Sequence, residues 1–183
     1  MTGWKDKRKV MQRYNVTAEI YDERYAQEQE RKYKKALENV NVVGKTVLDV
    51  GCGSGLFFKE IEAQAGLVMG VDVSRKLLFR AKERGSAFSN VAVLQADADH
   101  LPFRDGLFGA VFAFTVLQNM PKPAETLNEL KRVVKKGDKI GVTGLKKAFP
   151  LASFIDLLDG SGLIVAAFVD DESINCYLAV LSV

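Results

Sequence analysis

The sequence predicts an α/β fold: a doubly wound sheet of seven strands, mostly parallel, with one antiparallel C-terminal strand and helices on both faces. Three observations carry this expectation. From about residue 45 onward, short apolar runs alternate with helix-patterned segments. That alternation implies a parallel sheet covered on both sides. Val47-Leu48-Asp49-Val50 leads into Gly51-Cys52-Gly53-Ser54-Gly55 and then into helix-forming residues. Such a strand, glycine turn and helix let backbone approach a ligand and offer it free N–H groups. Finally, the last two apolar runs are joined by the short acidic turn Asp170-Asp171-Glu172, which suits an antiparallel hairpin.

The elements follow in order. The first strand is Val47–Val50, and a helix is expected over Leu56–Gln64 with Gly66 as its stop. Leu67–Val73 is the second strand, with Asp72 at its end. Ser74 is an N-cap for a helix over Arg75–Arg84, closed by Gly85. Val91–Ala96 is the third strand and Asp97–Gly106 a loop. Ala110–Phe114 is apolar throughout, as a buried parallel strand requires. A helix over Pro123–Val134, a turn at Lys136-Gly137-Asp138 and a strand over Lys139–Leu145 come next. Phe149–Asp159 reads as a helix stopped by Gly160 and Gly162, and Leu163–Val169 and Tyr177–Val183 form the hairpin. Residues 1–40 stand apart as a polar, Tyr-rich helical segment (Tyr14, Tyr21, Tyr25, Tyr33) placed over the ligand, ahead of a main domain at 41–183.

At 183 residues, 48% hydrophobic and 27% charged, the chain has the composition of a globular domain with a substantial core. No apolar run reaches spanning length, so no membrane association is expected. Met1 to Val10 is polar and basic, without the apolar stretch of a secretory signal. Cys52 and Cys176 give neither a disulfide framework nor a metal-ligand cluster, so no metal is expected and a cytoplasmic setting is the simplest. Charge is uneven. Residues 1–13 carry Lys5, Lys7, Arg8, Lys9 and Arg13 against Asp6, and residues 131–147 carry seven Lys/Arg against Asp138. The last 34 residues carry five acids and no base. The basic segments could orient an anionic partner such as RNA, or could simply be solvated surface.

Dinucleotide sites use Gly-x-Gly-x-x-Gly. Here Gly51, Gly53 and Gly55 are spaced Gly-x-Gly-x-Gly, with Asp49 two residues before them. A buried carboxylate at the turn suits a ligand with a positive group or donors and does not suit a pyrophosphate. Asp72, 17 residues after Gly55, is placed to accept from ribose hydroxyls. Asp97 ends the third strand, where its side chain can accept from an exocyclic adenine amine.

With these residues in place, the chain resembles the class I S-adenosylmethionine-dependent methyltransferases. Val47–Gly55 is similar to that family's first motif, Gly70-Val71-Asp72-Val73-Ser74 to its second, and Leu94–Phe103 to its adenine-side motif. Phe108–Asp138 resembles the fourth strand with the helix and turn after it. The closest branch is the one that includes ubiquinone/menaquinone-biosynthesis and wobble-uridine tRNA methyltransferases. The resemblance implies a single Rossmann-like domain with S-adenosyl-L-methionine as methyl donor. It places the methionine part against Asp49 and the turn Gly51, Cys52, Gly53 and Gly55. It places the ribose at Asp72 and Val73, and the adenine between Asp97 and Ala98. Thr115 would face the methionine end, with Leu117 and Gln118 near the transferring methyl and Tyr14, Tyr21 and Tyr25 in an N-terminal lid.

The chain departs from the family pattern in several places. The family usually has an acid where Gly109 stands, a glycine where Asp138 stands, and often a histidine where Gln118 and Asn119 stand. Asn119-Met120-Pro121-Lys122 lacks the paired proline and aromatic residue of base-amine and glutamine methyltransferases, and no cysteine sits there for cytosine-C5 chemistry. The only histidine, His100, lies in the loop over adenine and is a poor general base. The expected mechanism is therefore alignment of acceptor and methyl, with Gln118 or Asn119 orienting the acceptor. The acceptor is RNA (tRNA) or a small metabolite. The alternative is a catalytically silent cofactor-binding subunit, and an activator or recognition subunit is compatible with either.

Overall fold

The structure, a computed structural model, describes residues 7–12 and 21–183, with side chains from residue 27 onward in the second stretch. The elements are α1 (residues 7–12), α2 (Tyr21–Leu37), β1 (Thr46–Val50), α3 (Phe58–Ile61), β2 (Leu67–Asp72), α4 (Arg75–Gly85), β3 (Val91–Gln95) and β4 (Phe108–Ala113). A 3₁₀ turn (Leu117–Asn119) precedes α5 (Pro123–Val133), β5 (Val134–Leu145), α6 (Leu151–Asp159), β6 (Ile164–Asp170) and β7 (Cys176–Ser182). The seven strands form one sheet in the order β3-β2-β1-β4-β5-β7-β6. β1 to β5 are mutually parallel, and β7 runs antiparallel between β5 and β6. The fold is the doubly wound, Rossmann-like sheet with one antiparallel C-terminal strand.

Strand periodicity sends alternate side chains to opposite faces, and the two cores divide accordingly. Leu48, Val50, Val111, Ile140, Val142, Ala179 and Leu181 lie on one face, under Leu127, Leu130 and Val133 of α5 and Phe154 and Leu158 of α6. Val47, Val68, Ala110, Phe112, Leu178 and Val180 lie on the other, under Tyr33 and Ala36 of α2, Phe58 and Ile61 of α3 and Leu78 and Ala81 of α4. A ring cluster of Tyr33, Phe57, Phe112 and Phe114 binds α2 into this second face, with centroids 4.7–5.5 Å apart. Burying four aromatics against one another is among the larger apolar contributions available to a domain. The α2 helix is thus packed into the main core. Among the described residues, no helix is long and apolar enough to cross a membrane.

Ser74 caps α4, its hydroxyl accepting from Leu77 N–H at 3.2 Å, and Pro123 opens α5. Several boundaries differ from the sequence expectation, three of them as follows. The helix after the glycine turn is only Phe58–Ile61, because residues 51–57 continue as turns. β5 begins at Val134, since Val134 pairs with Phe108 before residues 135–138 loop out and pairing resumes at Lys139. α6 begins after Pro150, whose extended ψ of 143° precedes the helix, not at Phe149.

The two departures at Gly109 and Asp138 are one structural exchange. Lys45 lays its stem across Gly109, where an added Cβ would lie 3.0 Å from Lys45 Cδ, and its ammonium reaches Asp138 at 2.5 Å.

Candidate functional site

The carboxyl ends of β1, β2 and β4, with the loop after β3, surround a cleft. Its floor is the glycine turn. Gly51, Gly53 and Gly55 have φ of 70°, 57° and 79°, values that L-residues rarely adopt. A Cβ at Gly51 would fall 2.5 Å from Val116, and one at Gly55 2.5 Å from the Phe58 ring. The turn is pinned to β2 by Gly51 and Cys52 N–H, which donate to Val71 O at 2.7 and 2.9 Å, and by Arg84, which donates to Ser54 O.

Asp72 joins the turn to the cleft. One carboxylate oxygen accepts from Gly53 N–H at 3.0 Å, the other from Ser74 N–H at 2.7 Å. Burial raises its pKa above the usual carboxylate value, opposed by these backbone donors. Asp49 is 3% exposed, and among the described residues no group donates to it. Burial pushes its carboxyl well above the ordinary range, and the nearby Asp72 charge adds to this. A buried carboxylate without a donor is costly unless a ligand supplies one. Asp49 faces a smaller recess lined also by Gln29, Tyr33, Cys52, Ser54 and Phe114, which meets the main cleft at Gly51 and Gly53.

At the opposite end of the cleft, Lys7 of α1 meets both oxygens of Asp97 at 2.7 Å and Asp99 at 2.6 Å. Burial acts to lower the lysine value, and the hydrogen bonds and charges of the two aspartates outweigh it and hold it raised. The pair is built. Asp99 N–H donates to Asp97 Oδ1 at 3.1 Å, and the buried Thr126 hydroxyl donates to Asp99.

Thr115 stands after β4 with φ of 62°, the only described non-glycine residue with positive φ. Its N–H donates to Thr143 Oγ1 at 2.7 Å, and its carbonyl accepts from Gln118 Nε2 at 2.6 Å and Asn119 Nδ2 at 2.9 Å. Lys32, 3% exposed and paired with Glu28 at 2.9 Å, reaches Thr115 Oγ1 at 3.5 Å, and Asn175 donates to Glu28 at 3.2 Å. A threonine in this region is strained and persists only where its surroundings over-determine it. Here four side chains do so.

Gly51, Gly53, Asp72, Val73, Asp97, Ala98, Thr115 and Asn119 all line the main cleft, and Asp49 and Cys52 line the recess. Gly55 lines neither and serves the turn. Leu117, expected near the methyl, is fully buried in the core, because the 3₁₀ turn directs it inward. Gln118 does not line the cleft. Its amide nitrogen is fixed on Thr115, and its Oε1 is buried without a partner. His100 is exposed and outside the cleft wall. Tyr14 falls outside the described residues, and Tyr21 and Tyr25 are described only as backbone of α2. Sequence reasoning missed Lys7, Val10, Gln29 and Met120 as wall residues. It also read Tyr33 only as part of the aromatic N-terminal segment, whereas it lines the recess. Lys7 and Gln29 sit in polar, charge-rich segments that give no local signal for such a role.

The basic stretch 131–147 is largely engaged within the fold. Lys131 donates to Gly162 O, Arg132 holds Glu129 and Asp105, Lys139 donates to Asn39 O, and Lys146 pairs with Asp170. Lys135 and Lys136 are exposed, on the bulge at the amino end of β5, which is the end of the sheet away from the cleft. Among the described residues, no cluster of His, Cys, Asp or Glu could hold a metal ion.

Comparison with known proteins gives the following. A family described as a methyltransferase domain matches residues 48–141, just over half of the chain. A demethylmenaquinone methyltransferase of Bacillus licheniformis is 32% identical over 117 residues, 61% of this chain and 50% of that protein. A phosphatidylethanolamine N-methyltransferase of Cereibacter sphaeroides is 32% identical over 124 residues, 66% of this chain and 61% of that protein. The match therefore spans less than two thirds of the length of either relative. Among solved structures, a SAM-dependent methyltransferase from Aquifex aeolicus superposes with a TM-score of 0.78 at 21% identity, over 91% of this chain and 97% of that one. A chain of the Haloferax volcanii complex between the Trm112 methyltransferase activator and a methyltransferase superposes at 0.79 and 19% identity, over 92% and 95%. At these identities the structural likeness is one of fold.

Proposed function

The chain belongs to the class I S-adenosylmethionine-dependent methyltransferase family, and from that membership we propose that it transfers the methyl group of S-adenosyl-L-methionine to an acceptor that is RNA or a small metabolite. The observation that carries this is the pairing of Asp72 with the Gly51–Gly55 turn beside the buried Asp49, to which no described group donates. Together they form a cradle that a Cβ would fill and a carboxylate that a ligand amine would satisfy. Asp49 and the recess beside it would hold the methionine part, Asp72 and Val73 the ribose, and Asp97 and Ala98 the adenine. The cofactor supplies an electrophilic sulfonium methyl, so the protein's task is alignment. Beside Thr115 the described wall is Phe114, Val116, Asn119 and Met120, none of which titrates as a base. Gln118 and Asn119 act through the Thr115 backbone they fix, and Thr115 presents the methyl end to the acceptor. Of the N-terminal segment, Lys7 and Val10 of α1 and Gln29 and Tyr33 of α2 would cover the cofactor.

An RNA acceptor would be reached through the N-terminal basic residues or the exposed Lys147 after β5, since the exposed Lys135 and Lys136 lie at the far end of the sheet. A second reading is a cofactor-binding partner subunit. The fold shared with a chain of the Trm112 complex is compatible with it. Transfer of tritium from labelled S-adenosylmethionine to total RNA or to a metabolite extract tests the first reading and names the acceptor class. Tight binding of S-adenosylhomocysteine with no transfer to either would favour the partner subunit. Calorimetric binding of NAD alone would overturn both.

A further inference from the structure

Resting on the cofactor assignment just given, the structure assigns Lys7 to the cofactor site: we propose that its ammonium, clamped by Asp97 and Asp99, fixes α1 as the outer wall of the adenosyl half of the cleft. Three observations point to it. Lys7 lies 90 residues from Asp97 in sequence yet touches both of that residue's carboxylate oxygens at 2.7 Å and Asp99 at 2.6 Å. Its side chain is only 11% exposed, and those of the aspartates 17% and 6%. Lys7 and Val10, one helical turn apart on α1, both line the cleft opposite Leu77, Ala96 and Ala98. The i, i+3 spacing puts ammonium and isopropyl group on one face of the helix.

The electrostatics give the contact a purpose beyond packing. Asp97 and Asp99 are held close by the Asp99 N–H and the Thr126 hydroxyl. Two carboxylates so placed repel each other, and a nearby cation removes that cost. With Lys7 in place, the Asp97 carboxylate is oriented and partly neutralised, and its remaining lone pairs face the cleft. An adenine amine then meets a fixed acceptor, and Val10 covers the ring from the outside. Without Lys7, α1 loses its anchor, the apolar cover leaves, and an uncompensated pair of charges faces the base.

The test is a comparison of K7M with the native chain, using S-adenosylhomocysteine and adenosine as calorimetric probes, with melting curves for every variant. K7M is expected to lose about tenfold in affinity for both probes, because the contact serves only the half they share. K7R is expected to recover most of the loss. D99N should weaken both probes as K7M does, and the K7M/D99N double variant should be no worse than the weaker single variant. Native-like or tighter binding of adenosine by K7M overturns the proposal, as does full additivity of the two substitutions. If the native chain binds neither probe, the cofactor assignment falls first and this proposal with it.

Discussion

The carboxylate of Asp72 accepts the amide hydrogen of Gly53, the middle glycine of the turn after β1, at 3.0 Å. One side chain thus sets both the shape of the turn and the polar edge of the cleft beside it. Asp72→Asn replaces one of its acceptor oxygens with a donor. Hydrogen bonds to charged acceptors contribute about 1.5–3 kcal/mol each. Calorimetry with S-adenosylhomocysteine should show affinity reduced about 100-fold, which corresponds to about 2.7 kcal/mol. An unchanged dissociation constant would remove Asp72 from the site.

Asp49 gives a pH signature. In the unfolded chain an aspartate ionises near pH ~3.9, whereas in the fold burial first, and the Asp72 charge second, hold its carboxyl protonated to higher pH. The folded state therefore binds this proton more tightly than the unfolded state. The stability it contributes is complete below the unfolded value and is lost as pH rises through the folded one. Asp49→Asn removes that dependence. Melting temperature at pH 7 should rise by several degrees, at roughly 2–4 °C per kcal/mol for a chain of this size. The gain should vanish near pH 4, and S-adenosylhomocysteine binding should fall at every pH. A variant that melts below the native protein at pH 7 would show that Asp49 is structural.

Thr115 is held at φ 62°, a conformation that costs a non-glycine residue about 1–2 kcal/mol. Thr115→Gly should therefore melt at a temperature equal to or above that of the native chain. Tritium transfer to the acceptor found in the screen should nevertheless drop at least tenfold, since the Thr115 hydroxyl and its Lys32 contact are lost. Full activity in the glycine variant would reduce Thr115 to a loop residue.

Gln118 and Asn119 donate to the same carbonyl. Either one alone can hold it, so Gln118→Ala and Asn119→Ala should each reduce turnover only a few-fold. The double variant should lose more than the product of the two, since residues sharing one partner are not additive. A strictly multiplicative result, read from kcat at saturating cofactor, would mean the two amides act separately on the acceptor.

Gly70, in the middle of β2, faces the Phe58 ring and Cys52. A Cβ there would lie 2.6 Å from Phe58 Cζ and 3.0 Å from Cys52 Sγ. Gly70→Ala should destabilise the protein by about 1–3 kcal/mol, the usual range for overpacking. Because Phe58 also backs Gly55, cofactor affinity should decline with stability. A denaturant midpoint equal to that of the native chain would show that the ring can move aside.

The sequence announces β1, the glycine turn, β2 and Asp72 plainly because strand periodicity, alternate glycines and a terminal acid coincide within 26 residues, 47–72. The alternation of elements likewise conveys the sheet and its C-terminal hairpin. What stays hidden has physical causes. The helix after the turn is short because the glycines extend the turn through residue 57, which propensity does not reveal. β5 starts early because Val134 pairs with Phe108 across a bulge, a long-range event without local signature. Lys7 sits in a polar segment whose charge run looks like solvated surface, and its partners are 90 residues away. Gln118 and Asn119 look free to meet a substrate until the αL carbonyl of Thr115 is seen between them.

Cys52 lies in the glycine turn and Cys176 begins β7, both buried as free thiols. Burial raises both thiols, so little thiolate is present for reaction. The folded protein should therefore resist alkylating reagents, and each cysteine should be modified only when its own surroundings open. Cys52 should follow breathing of the turn and slow when S-adenosylhomocysteine is bound. Cys176, under α2 and the last hairpin, should follow cooperative opening of the sheet. Mass-resolved labelling at the two positions would turn the chain into a two-channel clock that separates motion at the site from motion of the whole fold.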